Sequence, residues 1–100
     1  MGDDVVVRPG AGDNIIFDMW VEGKLRLVAV TREAIEDYLR LPPEAAANFS
    51  PQDRVQFVQN NLSVIIAAAK WKLRNGQSEG HVIMIRSGNI KVGFTASAYS

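Results

Sequence analysis

Few side chains in this sequence of 100 residues have the type and spacing that acid–base or nucleophilic catalysis requires. His81 is the only histidine, and it stands at the start of a predicted strand, where a solvent-facing or hydrogen-bonded histidine is the ordinary case. A nucleophilic serine would have to lie beside it, yet no serine stands in a GxSxG-like turn. The serines are Ser50, Ser63, Ser78, Ser87, Ser97 and Ser100. We therefore predict no catalytic residue, and a small enzyme built around His81 is the least favoured interpretation.

The acidic and glycine-rich segments do not predict a metal or cofactor site. Glu33, Glu36 and Asp37 form the densest group of carboxylates, but they lie early in a predicted helix, whose dipole favours acidic residues. The GxG at residues 10–12 has neither a third glycine nor a following helix that would hold a phosphate. Since the sequence contains no cysteine and one histidine, the commonest zinc sites are excluded. We expect no metal and no cofactor.

The composition is that of a globular protein, because 47% of the residues are hydrophobic and 22% are charged. A chain of this length predicts a single domain over residues 1–100. The 11 basic and 11 acidic residues give a net charge of zero, so any nucleic-acid binding must come from a local basic patch. No apolar run approaches the roughly 20 residues that cross a bilayer, and the acidic start MGDDVVVRPG has no signal-peptide core. We expect a cytoplasmic protein without a membrane partner.

Residues 14–30, NIIFDMWVEGKLRLVAV, predict two strands joined near Glu22 and Gly23. A three-residue loop of Val21, Glu22 and Gly23 would align apolar residues on one face of this hairpin. The facing pairs would be Met19 with Leu25, Phe17 with Leu27 and Ile15 with Ala29. The other face would pair Asp18 with Arg26 and Trp20 with Lys24. We expect this register, preceded by a short edge strand at residues 5–7.

Two helices are predicted after the hairpin. Thr31 is a suitable N-cap for the first, a short amphipathic helix that ends at residues 41–43, Leu-Pro-Pro. Residues 44–49 predict a loop. The second helix has Ser50 as its N-cap and Gly76 just beyond its end, which makes it about 25 residues long.

The second predicted helix has apolar residues on two sides, at about 100° of rotation per residue. The expected core face consists of Val55, Val58, Leu62, Ile65, Ile66, Ala69 and Leu73. A second ridge consists of Phe57, Val64, Ala68 and Trp71. This ridge either packs inside the domain or, if exposed, forms the interface of a homodimer or the docking surface for another protein.

Residues 81–97, HVIMIRSGNIKVGFTAS, predict a second hairpin that turns at Gly88 and Asn89. Its inner face would carry Ile83, Ile85 and Ile90. The elements together predict a two-layer α+β fold in the order β-β-α-α-β-β. An antiparallel sheet of four to five strands, made of two hairpins, would carry both helices on one face.

The segments FDMWVEGKLRLVAVTREAIEDYL and FSPQDRVQFVQNNLSVIIAAAKWKL and the closing HVIMI strand resemble a family of small bacterial proteins known only as a domain of unknown function. The likeness rests on hydrophobic pattern, the Gly23 turn, the helix start at Thr31 and Phe49 before the long helix. It implies the same ββααββ order and a bacterial, cytosolic protein. It implies no activity and no catalytic residues.

The outer face of the sheet is the second candidate surface. It would combine the aromatic Trp20 with Lys24, Arg26, Arg86 and Lys91, as binders of single-stranded nucleic acid do. A further basic cluster, residues 70–74, has an electrostatic explanation in the helix dipole. We expect a non-enzymatic protein-interaction or regulatory module that self-associates through the second ridge. The alternative is a domain that binds single-stranded nucleic acid on the outer sheet face.

Overall fold

A computed structural model describes residues 5–77 and 81–90, which form a sheet covered on one face by helices. The strands are β1 (Arg8–Pro9), β2 (Ile15–Val21), β3 (Lys24–Val30) and β4 (Val82–Ile85). The helices are α1 (Arg32–Leu39), α2 (Pro43–Asn48), α3 (Pro51–Asn60) and α4 (Leu62–Arg74). A short 3-10 turn, Ala11–Asp13, connects β1 to β2. The α+β class is therefore confirmed.

The sheet is mixed, and the prediction of an antiparallel sheet in the order β-β-α-α-β-β is wrong. The strands lie in the order β1-β2-β3-β4, and β2 is antiparallel to both β1 and β3. Strand β4 runs parallel to β3, from Leu27 opposite Val82 to Val30 opposite Ile85. Helices α1 to α4 lie between these two strands in the chain. A helical crossover of this kind returns the chain to the same end of the sheet, so the next strand runs in the same direction.

The second predicted hairpin does not form at Gly88 and Asn89. The side-chain oxygen Oδ1 of Asn89 accepts a hydrogen bond from the backbone N–H of Arg86 at 2.7 Å. The backbone N–H of Asn89 donates to the carbonyl of Arg86 at 3.0 Å, and Asn89 and Ile90 are helical. These local bonds replace the ladder that a returning strand would need. The rest of the predicted strand, residues 91–95, lies outside the described residues.

The register of the first hairpin differs from the predicted one by one residue. Val21 is opposite Lys24 and Met19 is opposite Arg26, so the turn contains only Glu22 and Gly23. Both turn residues have positive φ, 52° and 79°, as in the type I′ turn that matches the twist of paired strands. A slip of one residue moves every side chain of a strand to the opposite face. The predicted three-residue loop and the faces predicted for β3 are therefore wrong, whereas the buried face predicted for β2, with Ile15, Phe17 and Met19, is confirmed.

The corrected register changes both faces of the sheet. Val28 and Val30 are fully buried on the face that meets the helices, beside Ile15 and Phe17. Two charged residues, Lys24 and Arg26, share this inner face at the end of the sheet nearest the turn. The outer face carries apolar residues instead: Ile16, Trp20, Leu25, Leu27, Ala29, Val82 and Met84. The edge strand also differs, because β1 pairs at residues 8–9 and not at residues 5–7.

The capping residues in the sequence correctly predicted where α1 and α3 begin. The hydroxyl of Thr31 accepts a hydrogen bond from the N–H of Ala34 at 3.1 Å, and Ser50 and Asp53 form a capping box. The loop predicted at residues 44–49 is wrong, since Pro43–Asn48 forms α2. The single long helix is also wrong, because Asn61 interrupts it with φ −119° and ψ 23°.

The core lies between the inner sheet face and the helices. Its most deeply buried residues are Ile15, Phe17, Val28, Val30, Ala34, Ile35, Val58, Ile65, Ala68, Ala69, Ile83, Ile85 and Ile90. Within the part of the chain that the structure describes, no helix has the length and apolar character needed to cross a membrane.

Candidate functional site

A groove of about 620 Å³ lies between the turn of the β2–β3 hairpin and the C-terminal end of α4. We name it the hairpin groove. The hairpin contributes Trp20, Val21, Glu22, Lys24 and Arg26, and α4 contributes Lys70, Leu73 and Arg74.

Two structural features bring the cations of the hairpin groove together. The two-residue turn places Lys24 and Arg26 on the helix-facing side of β3. Lys70 and Arg74 are four residues apart in α4, so they lie on the same side of that helix. The groove therefore receives cations from two elements that are far apart in the sequence.

The cations of the hairpin groove are electrostatically uncompensated. None of Lys24, Arg26, Lys70 and Arg74 forms an ion pair or side-chain hydrogen bond with another described residue. Glu22 is the one acidic residue among the described lining residues. The C-terminal end of α4 adds roughly half a negative charge, which leaves the groove strongly positive.

Three arginines elsewhere in the fold, Arg8, Arg32 and Arg54, differ from those of the groove in having carboxylate partners. Arg8 pairs with Asp18 at 3.2 Å and Arg32 pairs with Glu36 at 2.6 Å. The hydrogen bond with Glu36 is the main cause that raises the pKa of Arg32 above its ordinary value. Among residues 5–77 and 81–90 the groove cations have no such partners, so they are available to an anionic ligand.

Trp20 lies at the rim of the hairpin groove. Its side chain belongs to the outer sheet face opposite Leu25, and the two residues are 71% and 55% exposed. Trp20, Lys24 and Arg26 were predicted to share the outer face. The structure places them near the same turn but on opposite faces of the hairpin, because of the corrected register.

Of the other two predicted nucleic-acid residues, only Arg86 is described, and it does not line the hairpin groove. Strand β4 ends beside Val30, so Arg86 follows it at the opposite end of the sheet from Lys24. Lys91 lies outside the described residues. The basic cluster at residues 70–74 is divided, since Lys70 and Arg74 line the groove whereas Lys72 is buried in the core.

The second ridge lies largely inside the domain. Phe57 is buried and its ring meets that of Tyr38 edge to face, with 5.7 Å between ring centroids. Ala68 is also buried, and Val64 packs half-buried against the core. Trp71 is half-buried. Asn61 interrupts the helix between Phe57 and the other three residues, so the regular helical rotation that predicted one continuous ridge does not hold. Self-association through the second ridge stays a prediction.

The residues considered for catalysis or metal binding are dispersed. His81 is exposed just before β4, and Glu33 and Asp37 are exposed on α1. Asp13, in the glycine-containing turn, pairs with Arg32 at 3.4 Å and with Arg54 at 3.8 Å. In residues 5–77 and 81–90, no three acidic or histidine side chains are grouped so as to hold a metal ion.

Comparison of the chain with models of known protein families, with curated proteins and with solved structures finds no match. The resemblance to a family of unknown function therefore stays a prediction. The hairpin groove is therefore the candidate functional site.

Proposed function

We propose that the protein is a non-enzymatic binding module whose hairpin groove binds an anionic ligand with several phosphate groups. The observation that carries this proposal is the convergence of Lys24, Arg26, Lys70 and Arg74 without carboxylate partners among the described residues. The chain has a net charge of zero and therefore no overall attraction for anions, so any attraction must come from this local group of cations.

The chemistry of the lining residues favours phosphate. The guanidinium groups of Arg26 and Arg74 present paired donors that match phosphate oxygens, and Lys24 and Lys70 add point charges. The cations come from both walls of an open groove, an arrangement that suits an extended polyanion with repeated charges better than a single small ion.

Inorganic polyphosphate tests the proposal directly, because it carries the charges and nothing else. The double variant Lys70→Gln with Arg74→Gln should bind polyphosphate about tenfold more weakly in isothermal calorimetry at low salt, if each lost contact contributes about 0.5–1 kcal/mol. Arg40→Gln is the matched control, since Arg40 is exposed, has no ion pair with another described residue and does not line the groove. Equal affinity of all three proteins, or no binding by the wild type, would refute the proposed function.

The expected homodimer remains a separate prediction. Self-association through the second ridge would require the buried Phe57 and Ala68 to leave the core. We therefore do not assign the function of the protein to that surface.

A further inference from the structure

We infer that the polyanion of the hairpin groove is single-stranded nucleic acid, with the indole of Trp20 stacked on a base beside the bound phosphates. This inference rests on the proposed function and adds the class of ligand. Its starting observation is the position of Trp20, which lines the groove and is 71% exposed.

The two faces of the hairpin carry different kinds of side chain near the turn, cations on the inner face and apolar residues on the outer face. Lys24 and Arg26 project from the inner face toward the groove, and Trp20 and Leu25 project from the outer face. In a nucleotide, the phosphate and the base leave the sugar in different directions. A strand that crosses the end of the hairpin near Glu22 can therefore place phosphates in the groove and a base against the indole.

The apolar character of the outer face extends this platform beyond Trp20. Leu25 is 55% exposed directly across from it, and Leu27 follows on the same face of β3. Polyphosphate has no flat aromatic group that could use such a surface. Nucleic-acid bases do, and proteins that bind single strands use stacking of bases on aromatic side chains as a main source of affinity.

The arrangement selects single strands over duplexes. A base in a duplex is already paired and stacked on its neighbours, so Trp20 can only stack on an unpaired base. Four groove cations would contact up to four phosphates, so the logarithm of the association constant should fall with the logarithm of salt concentration at a slope no steeper than about −3.

The experiment compares a labelled single-stranded oligonucleotide of about 12 nucleotides with polyphosphate and with a duplex of the same sequence. Trp20→Ala should weaken oligonucleotide binding at least fivefold in fluorescence anisotropy and weaken polyphosphate binding less than twofold, because polyphosphate has no base to stack on the indole. Trp20→Phe, which keeps an aromatic ring, should retain most of the affinity. Circular dichroism confirms that each variant is folded.

Trp71→Phe provides a readout that does not depend on altering the site. Trp20 is then the only tryptophan of the chain, and the single-stranded oligonucleotide should quench its fluorescence at the concentrations that produce binding. An unquenched indole at saturation would overturn the inference.

The two proposals fail in different ways. Suppose that the oligonucleotide binds no more tightly than polyphosphate of the same charge, with an affinity that Trp20→Ala does not change. In that case the groove is a general polyanion site and the nucleic-acid inference is wrong. Duplex binding equal to single-strand binding leads to the same conclusion. If neither ligand binds, the proposed function itself is wrong.

Discussion

Lys72 lies inside the protein, and its ammonium group donates a hydrogen bond to the backbone carbonyl of Met84 on the edge strand β4. The next carbonyl, that of Ile85, accepts a hydrogen bond from the N–H of Thr31 on the β3 side. Successive carbonyls of a strand point in opposite directions, so the carbonyl of Met84 points away from β3. Lys72 thus satisfies a backbone group that the β3–β4 ladder leaves without a partner, and links α4 to the sheet.

Replacing Lys72 with Met should lower the free energy of unfolding by about 1–3 kcal/mol, because the carbonyl of Met84 loses a charged donor while the apolar stem is kept. Urea denaturation measures the change. Lys70→Met is the control, since Lys70 is exposed on the same helix and should change stability by less than about 0.5 kcal/mol. Equal effects of the two substitutions would show that the hydrogen bond to Met84 contributes no stability.

Asp13→Asn should destabilise the protein by about 1–3 kcal/mol, mainly because the buried Arg54 loses its carboxylate partner; the more exposed pair of Asp13 with Arg32 is lost as well and contributes less. Asn adopts the left-handed conformation of Asp13, φ 65°, as readily as Asp, so the change isolates the charge. The guanidinium retains its hydrogen bond to the carbonyl of Phe49 at 3.0 Å.

Asp18→Asn is the matched comparison for this prediction. Asp18 pairs with Arg8, and both side chains are 41% exposed, so the loss should be less than about 1 kcal/mol. Thermal and urea denaturation of both variants give the comparison. A larger loss for Asp18→Asn would contradict the assignment of Asp13 as the partner of a buried charge.

Phe57→Ala should lower the free energy of unfolding by about 3–5 kcal/mol, because it removes a buried ring and its contact with Tyr38. Trp71→Ala, on the same predicted ridge but half-buried, should have a smaller effect. Light scattering of the folded proteins tests the ridge as an interface. A wild-type dimer that Phe57→Ala converts to an equally stable monomer would place Phe57 in an intermolecular contact.

Glu22→Asn should both stabilise the hairpin and increase affinity for anions. Glu22 has φ 52° in the two-residue turn, a left-handed conformation that costs most residues roughly 1–2 kcal/mol. Asn adopts this conformation more readily and suits a type I′ turn before Gly23, so we expect the free energy of unfolding to rise by about 0.5–1 kcal/mol. Loss of the groove's carboxylate should tighten polyphosphate binding about two- to fivefold.

Glu22→Gln separates the two effects of this substitution. Gln removes the charge but has no advantage in the turn, so affinity should rise while the melting temperature stays the same. A gain in stability from both variants would mean that repulsion between Glu22 and neighbouring groups, and not the turn conformation, is what Asn relieves.

Features that depend on neighbouring residues were predictable. Thr31 and Ser50 begin helices because each hydroxyl bonds a backbone N–H three residues later, whatever surrounds it. The position of the first hairpin also followed from Glu22 and Gly23. Its register did not, because two- and three-residue loops give equally plausible sequences, and the choice between them depends on which face the helices cover.

The candidate site was predictable only in part. Trp20, Lys24 and Arg26 were recognised as a possible nucleic-acid surface, but Lys70 and Arg74 were interpreted as helix-terminal charges. No local pattern shows that α4 ends beside the β2–β3 turn. The uncompensated charge of the hairpin groove becomes visible once both elements are in place.

The order of residues was sufficient to define the helix caps Thr31 and Ser50, the position of the first hairpin, the α+β class and the absence of cysteine chemistry, because short-range hydrogen bonds and composition control them. The direction of β4, the faces of β3, the burial of Lys72 and the convergence of four cations required the folded chain. Each of these features depends on contacts between residues that are distant in the sequence. Several local conformations have similar energies there, and the packing of the whole core determines which one forms.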